Sequence, residues 1–101
     1  MFYGFTEKLL KDMKIIEGFR LRKLGKEHIV VGEGLAQVNF NKMVSLNDGA
    51  AYLWEAVEGK DFTVETLTEL LLDRYEVTEE VAAHDAASLA QAWVEAGVVA
   101  E

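Results

Sequence analysis

The amino-acid sequence predicts an α+β fold, in which a small antiparallel β-sheet of two to three strands is followed by a three-helix cluster. Within residues 19–31, apolar residues alternate with polar ones or are β-branched, which is typical of half-buried strands. From residue 46 onward, apolar residues recur at three- and four-residue spacing, which is typical of amphipathic helices. Strands and helices do not alternate along the chain, and this argues against a parallel sheet. The 101 residues suffice for one domain.

A short helix is predicted near the N-terminus, over residues 6–14. Thr6 can cap it by accepting a backbone N–H with its hydroxyl group. Apolar residues flank or follow this cap at helical spacing, namely Phe5, Leu9, Met13 and Ile16. We therefore divide the chain into an N-terminal helical extension, residues 1–17, and a main domain, residues 18–101. The extension either packs on this domain or forms an oligomer contact.

Three strands are predicted before the main helices. Phe19–Leu24 alternates apolar and basic residues, and residues 28–31 are apolar and largely β-branched. The turn at residues 25–27 joins these two strands as a hairpin. Met43–Leu46 is the best candidate for a third strand, after a glycine-rich break at residues 32–34.

Three helices follow the strands. Their predicted caps are side chains that accept backbone N–H groups: Asn47 or Ser45 for the first helix, Thr63 for the second and Thr78 for the third. Gly59 stops the first helix, and Gly97 stops the third, which spans residues 79–96. Trp54 and Trp93 fall on apolar stripes and are predicted to be core residues. The whole arrangement is winged-helix-like, with its strands placed first.

The composition leaves little for catalysis. The chain has no cysteine, so thiol chemistry and thiolate metal sites are excluded. Its two histidines, His28 and His84, lie on separate predicted elements, and no nucleophile stands in a recognisable elbow. Glu80 and His84 have metal-ligand spacing but no third ligand, so a solvated pair is the better interpretation. We therefore predict a protein that is not an enzyme, with no catalytic residues, metal or cofactor.

The charge distribution disfavours a nucleic-acid partner. Residues 1–46 hold eight Lys/Arg and five Asp/Glu, whereas residues 47–101 hold two Lys/Arg and thirteen Asp/Glu. The third predicted helix would read DNA in a winged-helix protein, but it contains no Lys or Arg. We therefore predict no binding of nucleic acid.

No feature of the sequence indicates a membrane. The N-terminus lacks the apolar core and the cleavage site of a secretory signal. No apolar run approaches the roughly 18 residues that are needed to span a bilayer. We expect a cytoplasmic protein without a membrane partner, which agrees with the absence of cysteine.

The edge of the small sheet is the remaining candidate site. A three-stranded sheet leaves at least one edge open, and an open edge can pair with an added strand. Met43–Leu46 is short and partly apolar, and it would accept such a strand if it lies at an edge beside the third helix. The alternative is an edge that is protected by its shortness or covered by residues 1–16. The residues alone favour neither interpretation.

The order of these pieces is similar to that of a known family. A short strand ending in Leu-Asn precedes a helix with aromatic and acidic residues and a glycine, here residues 43–47 and 50–59. A leucine- and acid-rich helix with a tyrosine near its end, here residues 63–75, precedes a last helix that closes in Gly97-Val98-Val99. Over residues 18–100, the chain thus resembles the PqqD-like family (coenzyme PQQ synthesis protein D type) of peptide chaperones, also called RiPP recognition elements.

The resemblance implies a function in which the chain performs no chemistry. In this family, the leader of a ribosomally made precursor peptide adds as an extra strand to the third strand and lies against the last helix. The domain then presents the peptide to a radical S-adenosylmethionine enzyme or to another modifying enzyme. Carried over by position, the peptide-binding residues are Met43, Val44, Ser45 and Leu46 on the strand, and Asp85, Ser88, Leu89 and Ala92 on the helix. Asp85, if exposed, would meet a basic residue of the leader, and a proline at Val44 is expected to abolish binding.

Two other functions stay open at this level. One is a winged-helix DNA-binding regulator, which binding to nonspecific DNA at low salt would test. The other is a structural or oligomerisation subunit, in which residues 1–16 form the contact of a homodimer. The mass of a chain that lacks these residues, measured by light scattering, would test the second.

Overall fold

The described part of the chain forms five strands and three helices. A computed structural model describes residues 11–33 and 43–101. The strands are β1 (Lys14–Ile15), β2 (Phe19–Leu24), β3 (Glu27–Gly32), β4 (Met43–Leu46) and β5 (Val99–Ala100). The helices are α1 (Asp48–Val57), α2 (Val64–Arg74) and α3 (Glu79–Ala96). A small antiparallel sheet of three strands together with three helices confirms the predicted α+β fold class.

The sheet has the order β2-β3-β4, so β4 lies at one of its edges. Leu24 pairs with Glu27 across a two-residue turn, in which Gly25 has a φ of 64° that glycine adopts without strain. In the middle strand, Val30 pairs with Leu21 on one side and with Val44 on the other. The three predicted strands are confirmed, and β3 extends one residue beyond the predicted strand at each end.

Each helix begins at a predicted capping residue. Asn47 accepts the backbone N–H of Ala50 at 2.8 Å, and the hydroxyl groups of Thr63 and Thr78 accept the equivalent N–H groups of α2 and α3. Gly97 ends α3 in the left-handed conformation, with a φ of 78°. Within residues 11–33 and 43–101, no helix is both long enough and apolar enough to cross a bilayer.

The core lies between the sheet and the helices, with two tryptophans at its centre. Trp54 and Trp93 are at most 1% exposed, and their rings meet edge to face with centroids 5.3 Å apart. The inner face of the sheet contributes Phe19, Val30 and Leu46 to the same cluster. The prediction that both tryptophans are core residues is confirmed.

The structure corrects the predicted N-terminal helix. None of residues 11–14 of the helix predicted at 6–14 is helical, and Lys14 belongs to β1; residues 6–10 lie outside the described residues. Met13 exchanges two backbone hydrogen bonds with Phe62, at 2.7 and 2.8 Å. Directly after it, β1 pairs antiparallel with β5.

The physical reason for this correction is the partner that the C-terminus provides. Met13 and Ile15 are buried while Lys14 between them is exposed, so the apolar residues follow the period of a strand. Apolar residues at positions 13 and 16 fit a helix equally well, and only the presence of β5 decides between the two structures. Val98 and Val99 pack back on the core.

Candidate functional site

A cleft of about 520 Å³ opens between the three helices, beside the end of β4. Its described lining residues are Asn47, Gly49, Ala50 and Leu53 at and after the start of α1, Leu71 on α2, and Asp85, Ser88, Leu89 and Ala92 on α3. Asn47 is the residue that directly follows β4. The side chains are mostly small or apolar, so the cleft suits a narrow apolar segment more than a large polar ligand.

One face of α3 forms a wall of this cleft. All four α3 residues that the sequence predicts as peptide-binding line the cleft. Asp85, Ser88 and Ala92 are exposed and lie at helical spacing on one stripe, and Leu89 beside them is half-buried. The opposite face of α3 is buried in the protein and consists of Ala82, Ala86, Ala90 and Trp93. The structure therefore shows which residues of the third helix face the cleft.

The four predicted residues of β4 are divided between the two faces of the sheet. Leu46 is buried in the core and Val44 is half-buried against it, whereas Met43 and Ser45 are exposed on the outer face. These four side chains do not line the cleft, which begins one residue later at Asn47. The cleft is lined by Asn47, which directly follows β4, and by four residues of α3, so it lies between the end of the edge strand and that helix.

The pairing of the sheet determines which backbone groups of β4 point outward. Glu33 donates its N–H to the carbonyl of Gly18 at 2.7 Å, so this pair is a hydrogen-bonded pair of the β2–β3 ladder. Hydrogen-bonded and non-bonded pairs alternate in an antiparallel ladder, and each residue directs its N–H and C=O to the same neighbouring strand. By this alternation, Val30 directs its backbone groups to β4 and exchanges them with Val44.

Met43 and Ser45 consequently carry the outward-pointing backbone groups of β4. Within residues 11–33 and 43–101, no strand pairs with this outer edge. An added strand would hydrogen-bond to Met43 and Ser45, while Val44 and Leu46 stay bonded to β3. The backbone donor available to an added strand is therefore that of Ser45, whereas the N–H of Val44, at which the sequence analysis places the proline, bonds to β3.

Sequence reasoning missed the contribution of α1 and α2 to the cleft. The apolar stripes of these helices indicate only that Leu53 and Leu71 face inward. Such a stripe does not distinguish a residue inside the core from a residue that lies at the edge of the core and borders a cleft. Leu53 is buried and Leu71 is half-buried in the structure. Gly49 lines the cleft just after β4, but a Cβ at this position would meet its neighbours at ordinary van der Waals distances, so this glycine is not a distinguishing signal. A Cβ added at Gly49 would lie 3.7 Å from the hydroxyl of Tyr75.

The polar chemistry of the cleft is limited. Asp85 is the single charged residue among the described lining residues, and 64% of its side chain is exposed. Its Oδ1 lies 3.6 Å from Nδ1 of His84, so His84 makes a solvated contact within α3. In the described ranges, no three His, Asp or Glu side chains gather in a way that could hold a metal ion. The arrangement is suited to binding a chain segment through backbone groups and apolar contacts.

Comparison with known proteins agrees with this geometry. The sequence model of the family described as "Coenzyme PQQ synthesis protein D (PqqD)" matches residues 27–99, from β3 to β5. No curated protein matches the chain. Among solved structures, the fold is similar to that of TbiB1 in complex with the TbiA(beta) leader peptide, with a TM-score of 0.65 and 15% sequence identity. This similarity covers 85% of the present chain and 93% of the TbiB1 chain.

The family match spans most of the chain and includes both β4 and α3, the two elements that border the cleft. The family resemblance that the order of sequence motifs indicates is thereby confirmed. The chain belongs to the coenzyme PQQ synthesis protein D (PqqD) family.

Proposed function

We propose that this chain is a non-catalytic peptide chaperone. It binds the leader of a ribosomally made precursor peptide as a strand added to β4, and it presents the peptide to a separate modifying enzyme. The observation that carries this proposal is the exposed edge of β4 next to a cleft on α3, in a member of the PqqD family. The TbiB1 structure, which contains a leader peptide on a similar fold, supports it.

Binding would use two kinds of contact. The outward N–H and C=O groups of Met43 and Ser45 would pair with the peptide backbone and supply affinity that is independent of sequence. Side chains on alternate positions of the peptide would face the cleft and contact Leu89 and Ala92, which supplies specificity. The remaining side chains would lie on the outer face of the sheet, beside the exposed Met43.

In this proposal the chemistry resides in a partner protein. The described lining of the cleft offers one carboxylate, that of Asp85, and one hydroxyl group, that of Ser88, but no histidine or lysine that could activate this hydroxyl. An enzyme of the radical S-adenosylmethionine type is the partner that we propose, and the cytoplasm is the compartment in which such a pair would act. The enzyme would receive the peptide from the outer face of the sheet, where half of the peptide side chains are displayed.

The test is a titration of isotope-labelled protein with peptides encoded beside its gene, followed through amide NMR shifts. We expect one peptide to shift the amides of residues 43–47 and 85–92, while the amides of β1 and β5 stay unchanged. A scrambled version of that peptide serves as the control. If a peptide binds but its shifts fall outside these two segments, strand addition to β4 is wrong.

A further inference from the structure

The one charged residue in the described lining of the cleft is acidic. Asp85 lies on its wall, and Glu95 continues the same stripe of α3 beyond Ala92, at helical spacing. Residues 43–101 contain only two basic residues, Lys60 and Arg74. A peptide segment in the cleft would therefore meet the carboxylate of Asp85, in a lining whose described residues include no Lys or Arg.

Neither of the two basic residues of this part of the chain lines the cleft. Arg74 is stacked on Tyr52, with its guanidinium carbon 4.4 Å from the centre of the ring. Lys60 follows the C-terminal end of α1, whereas the cleft lies at the start of that helix. Among the described residues, no Lys or Arg side chain forms an ion pair with Asp85. The carboxylate of Asp85 is available to a ligand.

The register of β4 specifies which side chains of an added strand approach this carboxylate. Residues of the added strand that lie opposite Val44 and Leu46 direct their side chains to the helical side of the sheet, because cross-strand neighbours share a face. The apolar part of the cleft, formed by Leu53, Leu71 and Leu89, would accept these side chains. A long side chain at a neighbouring cleft-facing position can extend along the wall to Asp85, since lysine and arginine carry their charge at the end of a flexible apolar stem.

From this juxtaposition we propose that the cleft selects a cationic segment, in which apolar residues two positions apart are followed or preceded by a lysine or arginine that reaches Asp85. This inference rests on the proposed function, and it adds the charge of the partner peptide to it. The charge preference is local to α3, because six of the eight Lys and Arg residues of the described chain lie in residues 11–26. A segment with acidic residues at the cleft-facing positions binds more weakly, since like charges repel.

The expected size of the effect follows from the exposure of Asp85. A pair of opposite charges at a site this exposed changes an equilibrium constant by roughly two- to fivefold. Replacing the carboxylate by a lysine converts attraction into repulsion, so the preference between basic and acidic segments reverses. The preference weakens as salt is added, since the screening length falls from about 10 Å at 0.1 M to about 3 Å at 1 M.

The experiment is selection of a displayed library of random 12-residue peptides on the intact chain. Selection is carried out in parallel on the natural protein, on Asp85→Lys and Asp85→Asn, and on the control variant Glu69→Lys. Glu69 is exposed on α2 and does not line the cleft, yet its replacement changes the net charge by the same amount as Asp85→Lys. Circular dichroism establishes that each variant is folded before selection.

We expect the natural protein and Glu69→Lys to enrich peptides with a Lys or Arg at a fixed distance from two alternating apolar residues. Asp85→Asn loses the enrichment of Lys and Arg, and Asp85→Lys enriches Asp or Glu at that position instead. Enriched peptides without any charge preference at that position, or the same preference on Asp85→Lys, overturn this inference and leave the proposed function intact. If the natural protein enriches no peptide family that contacts β4, the proposed function and the inference both fail.

Discussion

Replacing Ser45 by proline should remove peptide binding while the domain stays folded. Ser45 directs its N–H away from the sheet, and the described residues provide no strand that accepts it. Proline is tolerated on edge strands where the missing N–H would face outward. An added strand loses one hydrogen bond at this position and also meets the pyrrolidine ring, which occupies the place of the donor.

The magnitude follows from the hydrogen bond that is lost. A peptide carbonyl that becomes buried at the interface without a donor costs about 1–3 kcal/mol. Since about 1.4 kcal/mol corresponds to a tenfold change in Kd, binding should weaken roughly ten- to hundredfold. The free energy of unfolding should change by about 1 kcal/mol or less, because no internal hydrogen bond of β4 depends on this N–H.

Two further variants make the experiment specific. Ser45→Ala keeps the backbone N–H and should bind normally, since the side chain of Ser45 is on the outer face of the sheet. Val44→Pro removes a donor to Val30 on β3 instead, and should lower the free energy of unfolding by about 1–3 kcal/mol. Binding is measured by fluorescence anisotropy with a labelled peptide, and unfolding is measured by urea titration. A folded Ser45→Pro variant with an unchanged Kd would refute the assignment of the outward backbone groups.

Three other predictions test the cleft and the scaffold behind it. Ala92→Trp should fill the exposed cleft and weaken peptide binding by about tenfold or more, while the free energy of unfolding changes by no more than about 0.5 kcal/mol. As a control, Glu69→Trp should leave the anisotropy titration of the peptide unchanged. Equal binding by the two variants would contradict a role for the α3 wall. Trp93→Ala should cost about 3–5 kcal/mol of stability because it empties a buried site beside Trp54, whereas Glu95→Ala should cost almost nothing in urea unfolding. Gly97→Ala should lower the free energy of unfolding by about 1–2 kcal/mol, since a Cβ is strained at a φ of 78°. An unchanged temperature of thermal unfolding would argue against the explanation that the left-handed conformation of Gly97 ends α3.

Local residue preferences were sufficient to predict most elements of the fold. The caps at Asn47, Thr63 and Thr78 use side chains that bond to backbone N–H groups within three residues, and such contacts need no distant partner. The same holds for Gly97, whose left-handed conformation ends α3 within one residue. Order and spacing of these local signals also sufficed to indicate the PqqD family.

The N-terminal segment shows where local preference fails. Met13 and Ile15 are compatible with a helix and with a strand, and the choice depends on backbone partners at Phe62 and Val99, about 50 and 84 positions away in the chain. No local pattern encodes such a contact. The same limitation applies to the cleft, because Asn47, Leu71 and Asp85 belong to different elements and become neighbours only when the helices pack.

The sequence by itself determined the three strands of the sheet, the three helices that follow them, their order and the family, and it led to the eight residues proposed for the peptide site. The tertiary structure alone decided that Asp85, Ser88, Leu89 and Ala92 share one cleft wall with no basic residue in the lining. It also decided that Ser45, and not Val44, directs its backbone N–H outward. Both features depend on the register between strands and on the packing of α3. Contacts between residues far apart in the chain set the register and the packing, so neither leaves a local signal in the sequence.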